Sequence, residues 1–212
     1  MHGSKLTRAW FAVTALVALT GLVVQVIVTA GDPGGRFTTA AGRVANLFCF
    51  FTIDSNLLVI ASSAVVVLGA ARGTLFRVLW LDALAGIIVT GIVYQVALAG
   101  RHELHGLAFF ADTMLHKVTP ILFVLGWLLA GPRGAVTWRT VRWSLVYPLV
   151  WLAFTLPRGA LTGFYPYPFV DAGVLGYGRV TLNCVFIGLF FTALAAGAFL
   201  YDRRFTRLGS GA

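Results

Sequence analysis

The sequence predicts an all-α integral membrane protein, one domain over residues 1–212 with six transmembrane helices and both termini in the cytoplasm. Composition gives the class, because 59% of the residues are hydrophobic, only 11% are charged and the mean hydropathy is +0.89. A soluble domain of 212 residues could not keep so much apolar surface out of water. Lipid must therefore be the solvent for much of the chain.

The apolar stretches have the length that a bilayer requires. A hydrocarbon core of about 30 Å needs about 20 helical residues, since a helix rises about 1.5 Å per residue. The stretches are continuous rather than alternating, which favours helices over a barrel as the structure that satisfies the backbone in lipid. The six predicted helices cover residues 9–30, 44–70, 75–99, 111–130, 141–156 and 177–201.

The flanks of these stretches support the assignments in chain order. The first follows Lys5 and Arg8, as a signal peptide would, but its apolar run exceeds the roughly 7 to 15 residues of such a peptide. We therefore predict a membrane helix there. Clusters of Gly, Pro and Arg, such as residues 31–36 and 131–134, separate later stretches and begin turns. The fifth stretch is the shortest and contains Pro148.

The orientation follows from the cations, because cytoplasmic loops carry an excess of Lys and Arg. If successive helices alternate in direction, ten cations lie on one side and five on the other, which places both termini in the cytoplasm. The loops after helices one, three and five then face outward. The ten are Lys5, Arg8, Arg72, Arg77, Arg133, Arg139, Arg142, Arg203, Arg204 and Arg207, and the five are Arg36, Arg43, Arg101, Arg158 and Arg179.

The formal charge of +9 has the same explanation and does not indicate a nucleic-acid partner. The basic residues are spread in twos and threes between apolar runs, with no long basic stripe. Cys49 and Cys184 both lie inside apolar runs, so they indicate neither a disulfide framework nor a metal site. The expected partner is the lipid bilayer of the cell membrane, and we expect no metal and no dissociable cofactor.

Polar residues of five predicted helices fall within the outer leaflet. Thr52, Asp54 and Asn56 lie roughly 12 to 18 Å below the outer end of helix two, and His116 lies roughly 8 Å into helix four. Ionisable groups at such depth are costly unless they face a cavity or a partner, so Asp54 and His116 indicate a functional site. The same layer also contains Tyr94, Gln95, Thr155 and Asn183.

These residues can be combined into one catalytic arrangement. A neutral His116 could act as general base toward the Thr52 hydroxyl, which could attack a carbonyl and hold an acyl group transiently. Asp112, four residues before His116 on the same helical face, could orient the imidazole, and Asp54 is the other candidate. Asp54 projects about 200° away from Thr52 on a regular helix. Either Asn56 assists Thr52 while Asp54 pairs elsewhere, or the helix is locally distorted.

Other candidate residues could have a structural role instead of a functional one. Asn183 could contact substrate or only hydrogen-bond between helices. Arg158 could bind a lipid carboxylate or phosphate, or could be an ordinary flanking charge. Tyr167 could belong to an interfacial aromatic belt or to the lip of a lipid-accessible pocket, and Tyr94 is a further pocket candidate. Asp82 is expected to be an interfacial carboxylate at the start of a helix.

Three separated segments carry motifs of a known kind: Thr162 to Asp171, residues 51–54 and residues 115–120. The segment from Thr162 to Asp171 resembles the Thr-Gly, Tyr-Pro-Phe, aliphatic, acidic signature of the androgen-induced and androgen-dependent membrane protein family. Residues 51–54, Phe-Thr-Ile-Asp, resemble its Thr and Asp segment on an early helix, and residues 115–120 resemble its buried His followed by Pro. The motifs occur in the family's order and span most of the chain, whose Arg- and Ala-rich composition indicates a bacterial-type relative.

The resemblance implies an activity. Animal members of the family are membrane threonine hydrolases that cleave fatty acid esters of hydroxy fatty acids, so the nucleophile and base here would be Thr52 and His116. The Thr-to-Asp and His-to-Pro spacings each differ by one residue from the animal pattern. We therefore expect a lipid-ester hydrolase. The alternatives are a transporter or channel with an Asp54 and His116 proton relay, and a lipid-binding protein without catalysis.

Overall fold

The computed structural model describes residues 4–32, 36–101 and 103–209, leaving out the side chains of residues 207–209. The regular structure in these ranges is entirely helical. The α-helices are α1 (Lys5–Gly31), α2 (Ala40–Leu47), α3 (Phe51–Val67), α4 (Gly73–Val93), α5 (Gly106–Thr113), α6 (Thr119–Ala130), α7 (Trp138–Ser144), α8 (Val146–Thr162) and α9 (Ala172–Gly209).

Within the ranges that the structure describes, five helical runs are long and apolar enough to cross a membrane. A sixth span results if α2 and α3, which are bent by 70° relative to each other, are counted as one. The described chain is thus an all-helical protein with helices of membrane-spanning length, while the count of six and the cytoplasmic termini stay predictions. The five runs are Lys5–Gly31, Gly73–Leu98, Gly106–Ala130, Trp138–Thr162 and Ala172–Thr206.

The structure differs from the sequence prediction in the second segment, which is broken where residues 44–70 were expected to be one helix. Side chains of α8 satisfy one polar group within the break and one before it: Trp151 Nε1 donates to the Cys49 carbonyl at 3.0 Å, and Arg158 donates to the Asn46 side chain at 2.6 Å. The break makes Thr52 the second residue of α3. Its backbone N–H is therefore one of the donors that a helix cannot satisfy internally.

Two π-helical turns interrupt the regular spans. One, Tyr94–Leu98, continues α4, and the other, Met114–Val118, joins α5 to α6. Such turns insert an extra residue and redirect the side chains around them, and they are frequent at functional sites. Tyr94 lies in the first π turn and His116 in the second.

An aromatic core fixes α1, α4 and α6 against one another. The Trp80 ring packs edge-on against Phe11 at 5.3 Å and against Phe123 at 5.2 Å between ring centroids. All three side chains are completely buried. Trp10 adds a hydrogen bond from α1 to the Leu122 carbonyl of α6 at 2.9 Å. These contacts fix α4, which precedes the first π turn, against α6, which follows the second.

The loop between α8 and α9 folds back into the bundle. α8 ends before Gly163, which adopts the left-handed conformation with φ of 65°. Glycine adopts this conformation without strain, whereas residues that carry a Cβ rarely do. A short 3₁₀ turn, Pro168–Val170, follows. Tyr167 is buried and stacks on Phe169 at 5.1 Å, and Asn183 of α9 donates to the Phe169 carbonyl at 2.8 Å. The loop therefore places Tyr167 inside the protein.

Candidate active site

A hydroxyl, an imidazole and a carboxylate form a hydrogen-bonded chain between α3 and the second π turn. Thr52 Oγ1 lies 3.3 Å from His116 Nε2. His116 Nδ1 lies 3.1 Å from Asp112 Oδ1 and 3.1 Å from the Asp112 backbone carbonyl. Because both groups at Nδ1 are acceptors, the ring carries its proton there, which leaves the Nε2 lone pair directed toward Thr52.

Tyr94 fixes the carboxylate and the ring at the same time. Its hydroxyl donates to Asp112 Oδ2 at 2.6 Å, a distance typical of a charge-assisted hydrogen bond. Its ring stacks on the His116 imidazole with centroids 4.0 Å apart and planes 17° apart. Both oxygens of Asp112 are thus engaged, and the imidazole has one face covered.

Tyr167 approaches Thr52 from the loop before α9. The Thr52 backbone N–H donates to the Tyr167 hydroxyl at 3.1 Å, and the Thr52 Oγ1 lies 3.3 Å from the same oxygen. Burial raises the pKa of the Tyr167 hydroxyl to about 12, so the phenol keeps its proton at neutral pH. Since its oxygen already accepts from the amide, the phenol proton is free to be donated into the site.

Asn56 stabilises the first turn of α3, which carries Thr52. Its side-chain amide donates to the Thr52 carbonyl at 2.8 Å and to the Leu115 carbonyl at 3.3 Å, and the residue is completely buried. It thereby ties α3 to the residue before His116. Of the two arrangements that the sequence left open, the structure has Asn56 on the Thr52 side of α3.

Asp54 faces away from this site. It lines a different cavity, together with Asp82, on the opposite side of α3. The carboxylate beside His116 is that of Asp112, so Asp54 neither orients the imidazole nor contacts it. In the ranges that the structure describes, no three His, Cys, Asp or Glu side chains gather as a metal site would require.

An apolar cavity of about 490 Å³ begins at Thr52 and runs between α4, α8 and α9. Its wall near the hydroxyl includes Tyr94 and Tyr167. Farther away it is lined by aliphatic and aromatic side chains, and Leu149, Val185 and Leu189 in its wall are also exposed on the outer surface of the protein. We call this the acyl cavity. It is open at the outer surface of the protein between α8 and α9.

Asn56 and two further residues proposed from sequence as substrate contacts, Arg158 and Asn183, do not line the acyl cavity. Arg158 donates to Asn46 and packs over the rings of Phe37 and Phe164, each 5.6 Å from the guanidinium carbon, so it ties α8 to α2 and to two loops. Asn183 holds the loop that carries Tyr167. Both residues thus contact the framework of the site, and neither side chain reaches Thr52.

Sequence reasoning missed two contacts of the site. The Tyr94 bond to Asp112 joins residues of different helices, and the Tyr167 bond to Thr52 spans 115 positions, so neither follows from helical spacing. The only available signals were the depth of Tyr94 and the proline-rich segment around Tyr167.

Compared with known proteins, the chain matches no family model, no curated protein and no solved structure.

Proposed function

We propose that the protein is a membrane hydrolase of fatty esters that uses Thr52 as nucleophile. The observation that carries this proposal is the Thr52 hydroxyl within hydrogen-bonding distance of an imidazole whose other nitrogen meets a carboxylate, at the wall of an apolar cavity. A nucleophile, a base and a group that orients the base are the parts that covalent acyl transfer needs. Release of fatty acid from a long-chain ester by the purified protein in detergent tests the activity.

The first half of the reaction forms an acyl-enzyme. His116 Nε2 accepts the Thr52 proton as Oγ1 attacks the ester carbonyl carbon, which gives a tetrahedral intermediate. Asp112 stabilises the imidazolium through Nδ1. When the carbon–oxygen bond of the ester breaks, His116 returns the proton to the departing alkoxide, and the alcohol leaves with the acyl group bound to Oγ1.

Tyr167 is the donor for the negative charge of the intermediate. Its oxygen accepts from the Thr52 amide, so its own proton can turn from Oγ1 to the carbonyl oxygen as charge develops there. A buried donor in place before the reaction stabilises such an oxyanion more than water does. Deacylation repeats the steps with water as the nucleophile and His116 as base, and it releases the acid and restores Thr52.

The acyl cavity favours a long apolar chain as the substrate group. Its volume is in the range of small-molecule sites, and its wall offers few polar atoms beyond those near Thr52. The opening between α8 and α9 faces the side that lipid would occupy, so a fatty ester can enter sideways from the bilayer. This orientation brings the ester carbonyl to Thr52 while the chain stays in an apolar environment.

We further propose that the chain is a divergent relative of the androgen-induced and androgen-dependent membrane proteins. The support is that each of the three resembling motifs contributes one residue to the same site. Thr52 comes from the first motif, His116 from the second and Tyr167 from the third, and His116 and Tyr167 each lie within hydrogen-bonding distance of Thr52. Chance resemblance in three segments would not require such convergence.

The competing functions have less support. A proton relay from Asp54 to His116 would need the two groups on one path, and Asp54 lies in another cavity across α3. Lipid binding without catalysis would explain the acyl cavity, but it would not require an imidazole held between a hydroxyl and a carboxylate. Hydrolysis separates these classes, since neither a transporter nor a binding protein releases acid.

Tyr167→Phe is expected to lower kcat about 100-fold, because one oxyanion donor is removed while the ring that fills the site remains. KM should change little. The measurement is the rate of acid release at saturating ester. Tyr165→Phe, in the same loop but without a contact to Thr52, is the matched control and should keep the normal rate. Equal rates for the two variants would exclude Tyr167 as the donor.

Gly188→Leu is expected to shorten the chain that the protein accepts. Gly188 lies in the wall of the acyl cavity, and a Cβ added there meets no atom within 4 Å, so there is open space for a larger side chain beside the helix. We expect kcat/KM for a 16-carbon ester to fall about tenfold more than kcat/KM for a 4-carbon ester. This factor is of the size by which apolar pockets discriminate between chains of different length. Gly197→Leu, equally unobstructed on α9 and outside the cavity, should leave the ratio unchanged. An unaltered chain-length profile in Gly188→Leu would show that the chain binds elsewhere.

A further inference from the structure

A second cavity, of about 680 Å³, lies on the other side of α3. Its walls come from α3, α4, α7 and α8, and the active-site arrangement of Thr52, His116 and Asp112 does not line it. Two of its lining residues are carboxylates, Asp54 on α3 and Asp82 on α4. We call it the acidic cavity. Nothing in the proposed hydrolysis uses it.

In the described part of the chain, Asp82 has no hydrogen-bond or ion-pair partner in this cavity. Its side chain is only 4% exposed, and Oδ1 lacks a hydrogen-bond partner within the part of the chain that the structure describes. The sequence suggested an interfacial carboxylate at a helix start, but Asp82 is the tenth residue of α4, about 14 Å along the helix from its first residue. The macrodipole of the helix therefore does not account for it, since that effect is confined to the first turn.

The cations nearby do not neutralise the two carboxylates. Among the residues that the structure describes, Arg139 is the only basic one that lines the acidic cavity; its side chain is exposed, and it forms no ion pair with Asp54 or Asp82. The one ion pair among the described residues joins His116 to Asp112, on the far side of α3. Unpaired carboxylates at this depth are costly unless a cation or a proton reaches them.

The remaining wall combines aromatic rings with an opening toward lipid. Trp143, Tyr147, Trp151 and Phe154 line the cavity, and Trp143 and Phe154 are also more than half exposed on the outer surface. Aromatic faces attract organic cations, and the attraction is stronger where water is excluded. A small inorganic ion would gain little from such a wall, whereas an organic cation gains from both the rings and the carboxylates.

We propose that the acidic cavity binds an amphiphilic organic cation, with the charged centre against Asp82 and Asp54 and the apolar groups on the aromatic wall. The ligand enters from the lipid side, through the same opening that exposes Trp143 and Phe154. The site shares only Trp151 with the acyl cavity and is lined by none of Thr52, His116 and Asp112, so binding does not depend on the hydrolase activity. Its two carboxylates supply the charge complementarity that distinguishes cations from anions of the same shape.

Tetraphenylphosphonium and tetraphenylborate, which have the same shape and opposite charge, test this selectivity. Binding of each labelled ion to the purified protein in a neutral detergent is measured by equilibrium dialysis. We expect saturable binding of the phosphonium and at least about 100-fold weaker binding of the borate, on the scale of a buried charge pair. Saturable binding of both ions with similar affinity, or of neither, would overturn the proposal, and this comparison needs no variant.

Asp82→Asn and Asp54→Asn then locate the site. Each keeps the side-chain shape and removes a charge, and we expect each to weaken phosphonium binding at least about tenfold. Asp171→Asn is the matched control, because Asp171 lies outside the cavity and accepts bonds from Gly173 and Val174 through an oxygen that asparagine keeps. Unchanged affinity in both cavity variants, with normal elution on size exclusion, would place the cation elsewhere and contradict the proposal.

Discussion

Thr52→Ala is expected to abolish the release of fatty acid from a long-chain ester, with a loss of about 10³-fold or more in kcat. The reason is chemical: without Oγ1 there is no atom to hold the acyl group, and His116 is left without the proton that it accepts. Thr52→Ser keeps a hydroxyl at the same position and should retain measurable hydrolysis. The measurement is single-turnover acid release by the purified variants in detergent.

Thr155→Ala is the matched control for this substitution. Thr155 is another buried helical threonine, on α8, and its hydroxyl has no hydrogen-bond partner among the described residues. Its loss removes a similar volume from the bundle without touching the site. If Thr155→Ala and Thr52→Ala reduced the rate equally, the effect would come from packing, and the role of Thr52 as nucleophile would be contradicted.

Asp112→Asn should have the second largest effect, a loss of about 10² to 10⁴-fold in kcat with little change in KM. An amide in this position can present its NH₂ group to His116 Nδ1. The imidazole would then carry its proton on Nε2 and could not accept one from Thr52. The Tyr94 hydroxyl can still donate to the remaining oxygen, so the geometry of the site should be preserved.

The control for the carboxylate is Asp171→Asn, which removes a charge at the end of the loop that carries Tyr167. Among the described residues, the Asp171 side chain bonds only to the start of α9 and does not contact Thr52, His116 or Asp112. We expect its rate to stay within about twofold of the normal protein, as for most surface substitutions. A loss of less than about threefold in Asp112→Asn would mean that the imidazole does not need this carboxylate. The two-residue arrangement of Thr52 and His116 would then have to account for catalysis alone.

The helices could be predicted from the sequence because hydropathy and length are local properties. The break before α3 could not, since residues 44–50 contain neither Gly nor Pro and the groups that stabilise the break come from α8, about a hundred positions later. The π turns at Tyr94 and His116 leave no mark in the hydropathy pattern either. Both features depend on tertiary contacts, and both position the site.

The sequence could predict those residues of the candidate site that are energetically unfavourable in a membrane or that lie close together along one helix. His116 stood out because an imidazole at membrane depth is expensive, and Asp112 because it lies one helical turn away. Tyr94 was visible only as a polar residue of the same layer, and Tyr167 only as a residue of the proline-rich outward loop, since their partners lie on other helices. Asp54 was assigned to the same layer by depth, although the helix turns it to the opposite side, where it meets Asp82 in the acidic cavity.

Labelling with a long-chain fluorophosphonate, followed by peptide mass spectrometry, tests the central claim most directly. Thr52 Oγ1 should bond to phosphorus as fluoride leaves, which gives one stable adduct on the peptide that contains Thr52. The adduct should be absent in Thr52→Ala and strongly reduced in His116→Ala, because the hydroxyl then lacks its base. An adduct on another residue, or ester hydrolysis that persists in Thr52→Ala, would contradict the account.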